Sequence, residues 1–97
     1  MIENQEEVIK WYGEEEQSRL AMEECAELIQ AINKCLRYPK EARVYSDLKE
    51  EMADVLIMIE QLKCIFDITD DELEWWIQRK QKRVFERMKK EKQNHVG

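Results

Sequence analysis

The sequence predicts an all-α protein, an antiparallel helical bundle of about four helices whose core is completed by oligomerisation. Its 97 residues include only 2 Gly and 1 Pro, whereas β-sandwiches and barrels need turn residues about every ten positions. The same shortage of glycine excludes the Gly-rich phosphate loops of Rossmann and P-loop proteins. Apolar residues recur instead every three or four positions, as on one face of an α-helix. A domain of this length buries only about 60% of its unfolded surface, so we expect a second subunit to supply further core.

The first two helices are predicted from their ends. A helix over about residues 3–12 stops at Gly13, a residue type typical of helix C-termini. The second helix covers about residues 15–37 and ends before Pro39, because the residue preceding a proline disfavours helical geometry. We expect a polar loop over residues 37–46 to follow it.

The last two helices are predicted from capping residues. Ser46 or Asp47 can cap a third helix over about residues 47–66. The segment from Thr69 to Glu72 forms a capping box for a fourth helix over about residues 70–92. We expect residues 93–97 to be frayed, and the whole chain, residues 1–97, to form a single domain.

Composition limits the compartment and the partners. The three cysteines, Cys25, Cys35 and Cys64, lack a Cys-x-x-Cys spacing and fit buried side chains in a reducing cytoplasm. No apolar run approaches the roughly 20 residues that span a membrane. The net charge is −6, and the basic stretch over residues 77–97 contains a single Phe, Tyr or Trp residue, Phe85, which argues against nucleic acid as a partner. We therefore expect a cytoplasmic protein without membrane or nucleic-acid partners.

Two pairs of carboxylates occupy positions where leucines would be expected. At 100° per residue, Glu24 lies within the apolar stripe of the second helix and Glu27 lies about 60° away. Glu51 and Asp54 repeat this arrangement on the third helix. Taken singly, each acid could extend from the stripe to solvent, but consecutive antiparallel helices would bring all four together. Oxygen ligands alone suit Mg²⁺ or Mn²⁺, whereas a ferritin-like di-iron site needs histidines, and the only one is His95.

Three basic residues lie at or beside the apolar stripe of the fourth helix. With Lys80 as the reference, Arg87 falls about 20° away and Arg83 about 60° away. Two interpretations stay open. The stems of these side chains can cover apolar surface while their charges reach water, or the cations can face a polyanion held by the metal.

The acidic segments Glu23-Glu24-Cys25-Ala26-Glu27 and Glu51-Met52-Ala53-Asp54 resemble a known signature. The pattern EExxE…ExxD is that of the MazG-like, all-α nucleoside triphosphate pyrophosphohydrolases. That superfamily includes dimeric dUTPases, dCTP pyrophosphatases and phosphoribosyl-ATP pyrophosphatase. The resemblance implies Mg²⁺-dependent hydrolysis of a (d)NTP at the α–β phosphate bond, with Mn²⁺ as a substitute, in nucleotide-pool house-cleaning. A narrower member of the superfamily and an inert helical interaction module remain alternatives.

The resemblance also implies roles for individual residues. Glu24, Glu27, Glu51 and Asp54 would bind Mg²⁺, and together with the auxiliary acid Glu23 they would form the catalytic set. The substrate-binding candidates are Gln17, Lys80, Arg83 and Arg87.

Some positions weaken or qualify this assignment. The asparagine that often follows the family's arginine is Val84 here. Gln17 suits either a base or sugar contact or a hydrogen bond within the core. For Lys34, near the end of the second helix, a solvated position is favoured over a phosphate contact. A homodimer or homotetramer is the expected assembly.

Overall fold

The computed structural model describes residues 2–96, and the described part of the chain contains α-helices and no strand. The helices are Gln5–Tyr12 (α1), Glu14–Arg37 (α2), Ala42–Ile65 (α3) and Asp70–Val96 (α4). The all-α prediction is confirmed. The chain divides into two compact units, one containing α1 to α3 up to Asp67 and the other beginning at Ile68 and containing α4. Completion of the core by a second subunit stays a prediction, as does the single domain over 1–97.

The first unit is an antiparallel hairpin of α2 and α3 with the short helix α1 packed against both. Its buried apolar side chains are Ile9 of α1, Ala21 and Ala31 of α2, and Val44 and Met58 of α3. The predicted spacing of apolar residues on α2 therefore identifies the face that packs against α3. Burial of so few apolar residues leaves much of the apolar surface of the helices in contact with solvent.

The predicted loop between the second and third helices was too long. Residues 42–46 belong to α3, which begins at Ala42 after the N-cap Glu41, so neither Ser46 nor Asp47 caps the helix. Val44 is only 3% exposed, and burying this side chain in the hairpin favours helix over the loop that polar neighbours suggested. Only residues 38–41 connect the two helices.

Gly13 forms the corner between α1 and α2 with φ at 101° and ψ at 149°. Its N–H donates a 2.7 Å hydrogen bond to the carbonyl oxygen of Ile9, which ends α1 as predicted. Residues with a side chain rarely adopt this backbone conformation. Space is not the limitation, because a Cβ atom here would meet no atom within 4 Å.

Gly13→Ala is expected to lower the free energy of unfolding by about 1–3 kcal/mol, because alanine would hold a backbone geometry that only glycine adopts readily. Chemical denaturation would measure the change. Lys49→Ala, an exposed helical substitution on α3, serves as the control and should stay within about 0.5 kcal/mol of wild type. Equal stability of Gly13→Ala and wild type would contradict the expected strain.

The helix α4 begins with the predicted capping box. The Glu72 N–H donates to Thr69 Oγ1 over 3.1 Å, and the Thr69 N–H donates to Glu72 Oε1 over 3.1 Å. Residues 93–96 are helical rather than frayed, since no glycine or proline interrupts the helix before Gly97. Gly97 itself lies outside the described residues.

The described residues contain no helix that is both long enough and apolar enough to cross a membrane. Cys25 and Cys64 are exposed, so the prediction that the cysteines are buried was wrong for these two. Cys25 directly follows Glu24 and so points about 100° away from the face that packs on α3. Cys35 is half-buried, and its Sγ donates to the carbonyl oxygen of Val44 over 3.3 Å.

Candidate functional site

The α2–α3 hairpin places pairs of polar residues opposite one another in a constant register. Gln17 of α2 donates a 2.9 Å hydrogen bond from Nε2 to Oε1 of Gln61 on α3. Seven residues later on α2, Glu24 faces Asp54, which lies seven residues earlier on α3, and their carboxyl groups interact. Such spacing is close to two helical turns, so both pairs lie on the same face of the hairpin.

Three carboxylates meet at the centre of this face. Glu24, Glu51 and Asp54 are half-buried and each offers an oxygen atom, all within 4.8 Å of one another. Glu27, the fourth predicted ligand, is exposed and lies beside Glu51, whose carboxyl group interacts with it. The structure therefore brings all four predicted acids to one place, with three of them in the tightest group. Glu23 is exposed, at the edge of this group.

Two oxygen atoms of the cluster have no partner. Glu24 Oε2 and Glu51 Oε2 are buried and accept no hydrogen bond from any residue that the structure describes. Nor does any described lysine or arginine form an ion pair with Glu24, Glu51 or Asp54. Buried carboxylates without a cation or a donor are costly, so the cluster lacks a positive partner within the described chain.

The electrostatics of the cluster follow from its burial and its crowding. Burial, as the largest cause, and the negative charges of Asp54, Glu27 and Glu51 together raise the pKa of Glu24 from 4.5 to about 7. Burial likewise raises the pKa of Glu51, and the neighbouring charges of Glu27 and Asp54 add to this rise. Without a cation, Glu24 therefore tends to hold a proton near neutral pH.

The donor set fits a hard divalent cation. It consists of carboxylate oxygens alone, without a nearby histidine or cysteine ligand in the described cluster, and Mg²⁺ and Mn²⁺ prefer such ligands. A cation between Glu24, Glu51 and Asp54 would satisfy the two partnerless oxygens and remove the repulsion between the acids. Glu27 can complete the set from the exposed side.

Cavities open on either side of the acids within the first unit. The larger one, about 610 Å³, is lined by the buried amides of Gln17 and Gln61 together with Tyr12, Leu20 and Met58. The smaller one, about 300 Å³, is lined by Glu27, Glu51 and Lys34 among others.

Most of the remaining site predictions concern α4. Lys80, Arg83 and Arg87 are exposed on this helix, and Arg87 Nε lies 4.0 Å from Glu91 Oε1. Their contact with phosphates stays a prediction. Gln17 is only 4% exposed, and its hydrogen bond to Gln61 agrees with the predicted role within the core. Gln17 also lines the larger cavity, so a ligand in that cavity could contact it.

Sequence reasoning missed Gln61 on this face, and for Lys34 it favoured a solvated position over a phosphate contact. Gln61 is 2% exposed and forms a hydrogen bond with Gln17. The sequence feature that could have identified Gln61 is its place seven residues after Asp54, since Gln17 lies seven residues before Glu24. Lys34 is exposed, as favoured, yet it also lines the smaller cavity beside Glu27. The signal for Lys34 was its distance of seven residues from Glu27 on the same helix.

Comparison with known families gives one result. The sequence model of the MazG nucleotide pyrophosphohydrolase domain matches residues 13–96, which include every predicted site residue. No curated protein and no solved structure matches the chain.

Proposed function

Because the chain belongs to the MazG nucleotide pyrophosphohydrolase family, we propose that it hydrolyses nucleoside triphosphates between the α- and β-phosphates. Water adds to the α-phosphorus, the α–β anhydride bond breaks, and the products are a nucleoside monophosphate and pyrophosphate. The observation that carries the proposal is the pair of buried, partnerless oxygens on Glu24 and Glu51 within the acidic cluster. The biological role that fits this reaction is removal of noncanonical or surplus nucleotides.

The acids have two tasks in this proposal. Glu24, Glu51 and Asp54 hold Mg²⁺, with Glu27 as the fourth ligand, and their half-buried position keeps the site partly shielded from water. Mg²⁺ bound there would supply charge neutralisation for the phosphates and a lowered pKa for the attacking water. A carboxylate that is not saturated by metal then accepts the proton of that water. The exposed acid Glu23, which lines the larger cavity next to the cluster, is available as an auxiliary group.

Positive charge for the triphosphate comes from lysine and arginine side chains. Lys80, Arg83 and Arg87 are exposed on one face of α4, at spacings of three and four residues. Lys34 lines the smaller cavity next to Glu27 and Glu51. Such cations bind phosphate oxygens through charge-assisted hydrogen bonds.

We further propose that the chain acts as a homodimer or homotetramer. Large apolar side chains of the hairpin face solvent, and they include Ile29 at 68%, Leu36 at 78% and Leu56 at 57% exposure. A second copy of the same hairpin would bury such surface. Light scattering combined with size-exclusion chromatography measures the assembly, and a monomer at high protein concentration would contradict this part of the proposal.

Product analysis tests the reaction itself. Wild-type protein is incubated with ribo- and deoxynucleoside triphosphates, including dUTP and dCTP, and with phosphoribosyl-ATP, each with and without Mg²⁺. We expect pyrophosphate and a nucleoside monophosphate only when the metal is present. Release of inorganic phosphate from the β–γ bond would overturn the proposed reaction. Absence of turnover together with absence of metal stabilisation would favour an inert helical interaction module.

A further inference from the structure

A chain of three glutamine side chains crosses the wall of the larger cavity. Gln17 Nε2 donates to Gln61 Oε1 over 2.9 Å, and Gln61 Nε2 donates to Gln5 Oε1 over 2.8 Å. Gln5 Nε2 in turn donates to the backbone carbonyl oxygen of Glu3 over 2.8 Å. Gln17 and Gln61 are only 4% and 2% exposed, so the bond between them is buried, whereas Gln5 is half-buried and its bond to Glu3 is exposed.

The backbone contact fixes the orientation of every amide in the series. A carbonyl oxygen can only accept, so the Gln5 group that faces Glu3 must be its NH₂ and the group that faces Gln61 must be its oxygen. By the same argument, the NH₂ group of Gln61 faces Gln5, and the NH₂ group of Gln17 faces Gln61. Gln17 is therefore left with an oxygen, Oε1, that accepts no hydrogen bond from the described residues, and with one unused N–H beside it.

The position of this amide relates it to the acids. Gln17 lies seven residues before Glu24, which corresponds to about 10 Å along the helix. The wall of the larger cavity includes Gln17 and Glu23, the residue next to Glu24, together with the apolar side chains of Leu20 and Met58. Tyr12 also lines this cavity and is 63% exposed, so its ring is available for stacking and does not serve as core.

We propose that the larger cavity receives the nucleobase of the substrate and that the Gln17 amide reads the edge of the base, while Gln61 and Gln5 act as positioning residues. This inference rests on the proposed function, because it assumes a nucleotide whose α-phosphate lies at the acids. The apolar wall and the Tyr12 ring suit the faces of a base. An acceptor and a donor side by side match the hydrogen-bonding edge of a base.

The orientation of the Gln17 amide should determine which bases it binds. Uracil, thymine and guanine present an N–H next to a carbonyl oxygen, whereas cytosine and adenine present a ring nitrogen next to an amino group. An amide that turned over to suit the other class would break its bond to Gln61, leaving a buried group unpaired. The amide series therefore favours one of these two classes over the other, by about tenfold if one hydrogen bond is lost.

Paired substrates test this inference. We compare kcat/KM for dUTP against dCTP and for GTP against ATP in wild type, Gln17→Met and Gln61→Met, with Gln78→Met on α4 as the matched control. The preference within each pair should fall about tenfold in both cavity variants, mainly through KM, and should persist in the control. Binding of nucleoside monophosphates, measured by calorimetry without metal, should weaken in parallel, whereas binding of pyrophosphate should not.

The outcomes separate this inference from the proposed function. If wild type releases no pyrophosphate from any nucleotide, the proposed function fails. If wild type is active and both cavity variants keep its base preference and KM, the glutamines serve only the fold and the inference is overturned. Should the cavity variants fail to fold, the exposed Tyr12→Ala decides: we expect about a tenfold rise in KM, with recovery in Tyr12→Phe. An unchanged KM in Tyr12→Ala would overturn the inference.

Discussion

Glu24→Gln is expected to reduce pyrophosphate release by at least about 100-fold while making the metal-free protein more stable at pH 8. Substitution of a residue that only hydrogen-bonds to a metal ligand often lowers activity by about 10–100-fold. Glu24 would be a ligand itself. Stability should rise because the substitution removes a partly buried negative charge that has no positive partner. A loss of activity combined with a gain in stability is the pattern of a site that is strained in order to function.

Steady-state kinetics and chemical denaturation of the same preparations measure these two effects. Glu86→Gln makes the same chemical change at an exposed position of α4, and it should match wild type in both activity and stability. Near-normal turnover of Glu24→Gln would remove this residue from the metal site. Lower stability at pH 8 would show instead that the carboxylate already has a favourable partner in the folded protein.

A rise in pH is expected to destabilise the metal-free protein, whereas added metal is expected to stabilise it. Glu24 has a pKa of about 7 in the folded chain against an ordinary value of 4.5, so folding favours its protonated form. Its contribution to stability is therefore fully present below about pH 4.5 and is lost as the pH rises through about 7. The raised pKa of Glu51 acts with the same sign. The metal-free protein should thus lose stability between pH 5 and pH 8 as far as these two groups determine it.

Added Mg²⁺ should reverse this trend because it binds the deprotonated acids and competes with protons. At about 100 times its dissociation constant, the metal would stabilise the folded chain by about 2.7 kcal/mol. The increase in melting temperature should be largest at pH 8 and small at pH 5. Thermal melts across this range would measure it, with KCl at equal ionic strength as the control. An equal effect of Mg²⁺ and KCl at every pH would contradict a metal site.

Periodicity was sufficient to predict the acidic cluster. Glu24 and Glu51 occupy apolar stripes on helices that pack together, and any antiparallel hairpin of the two stripes brings their carboxylates near each other. The degree of burial of each acid could not be predicted, because it depends on the register of the helices. That register leaves Glu27 exposed and Glu51 half-buried.

Local signals failed where packing decided the outcome. Ser46 and Asp47 are good capping residues, yet burial of Val44 places the start of α3 earlier. The position of Gln61, seven residues after Asp54, gained meaning only when the hairpin placed Gln61 opposite Gln17. The capping box at Thr69 was predicted correctly because its hydrogen bonds join residues only three apart.

The constant register of the hairpin also determines where this chain can change in length. One residue inserted between Asp54 and Gln61 would turn these two side chains about 100° relative to each other. The amide pair or the acid pair would then leave the face that they share. The connection at residues 38–41 lies outside the segment from Gln17 to Glu24 and the segment from Asp54 to Gln61. A residue added in this connection would therefore leave the spacing within each segment unchanged. Insertions and deletions among related chains should therefore collect at this connection and avoid the segments 17–27 and 51–61.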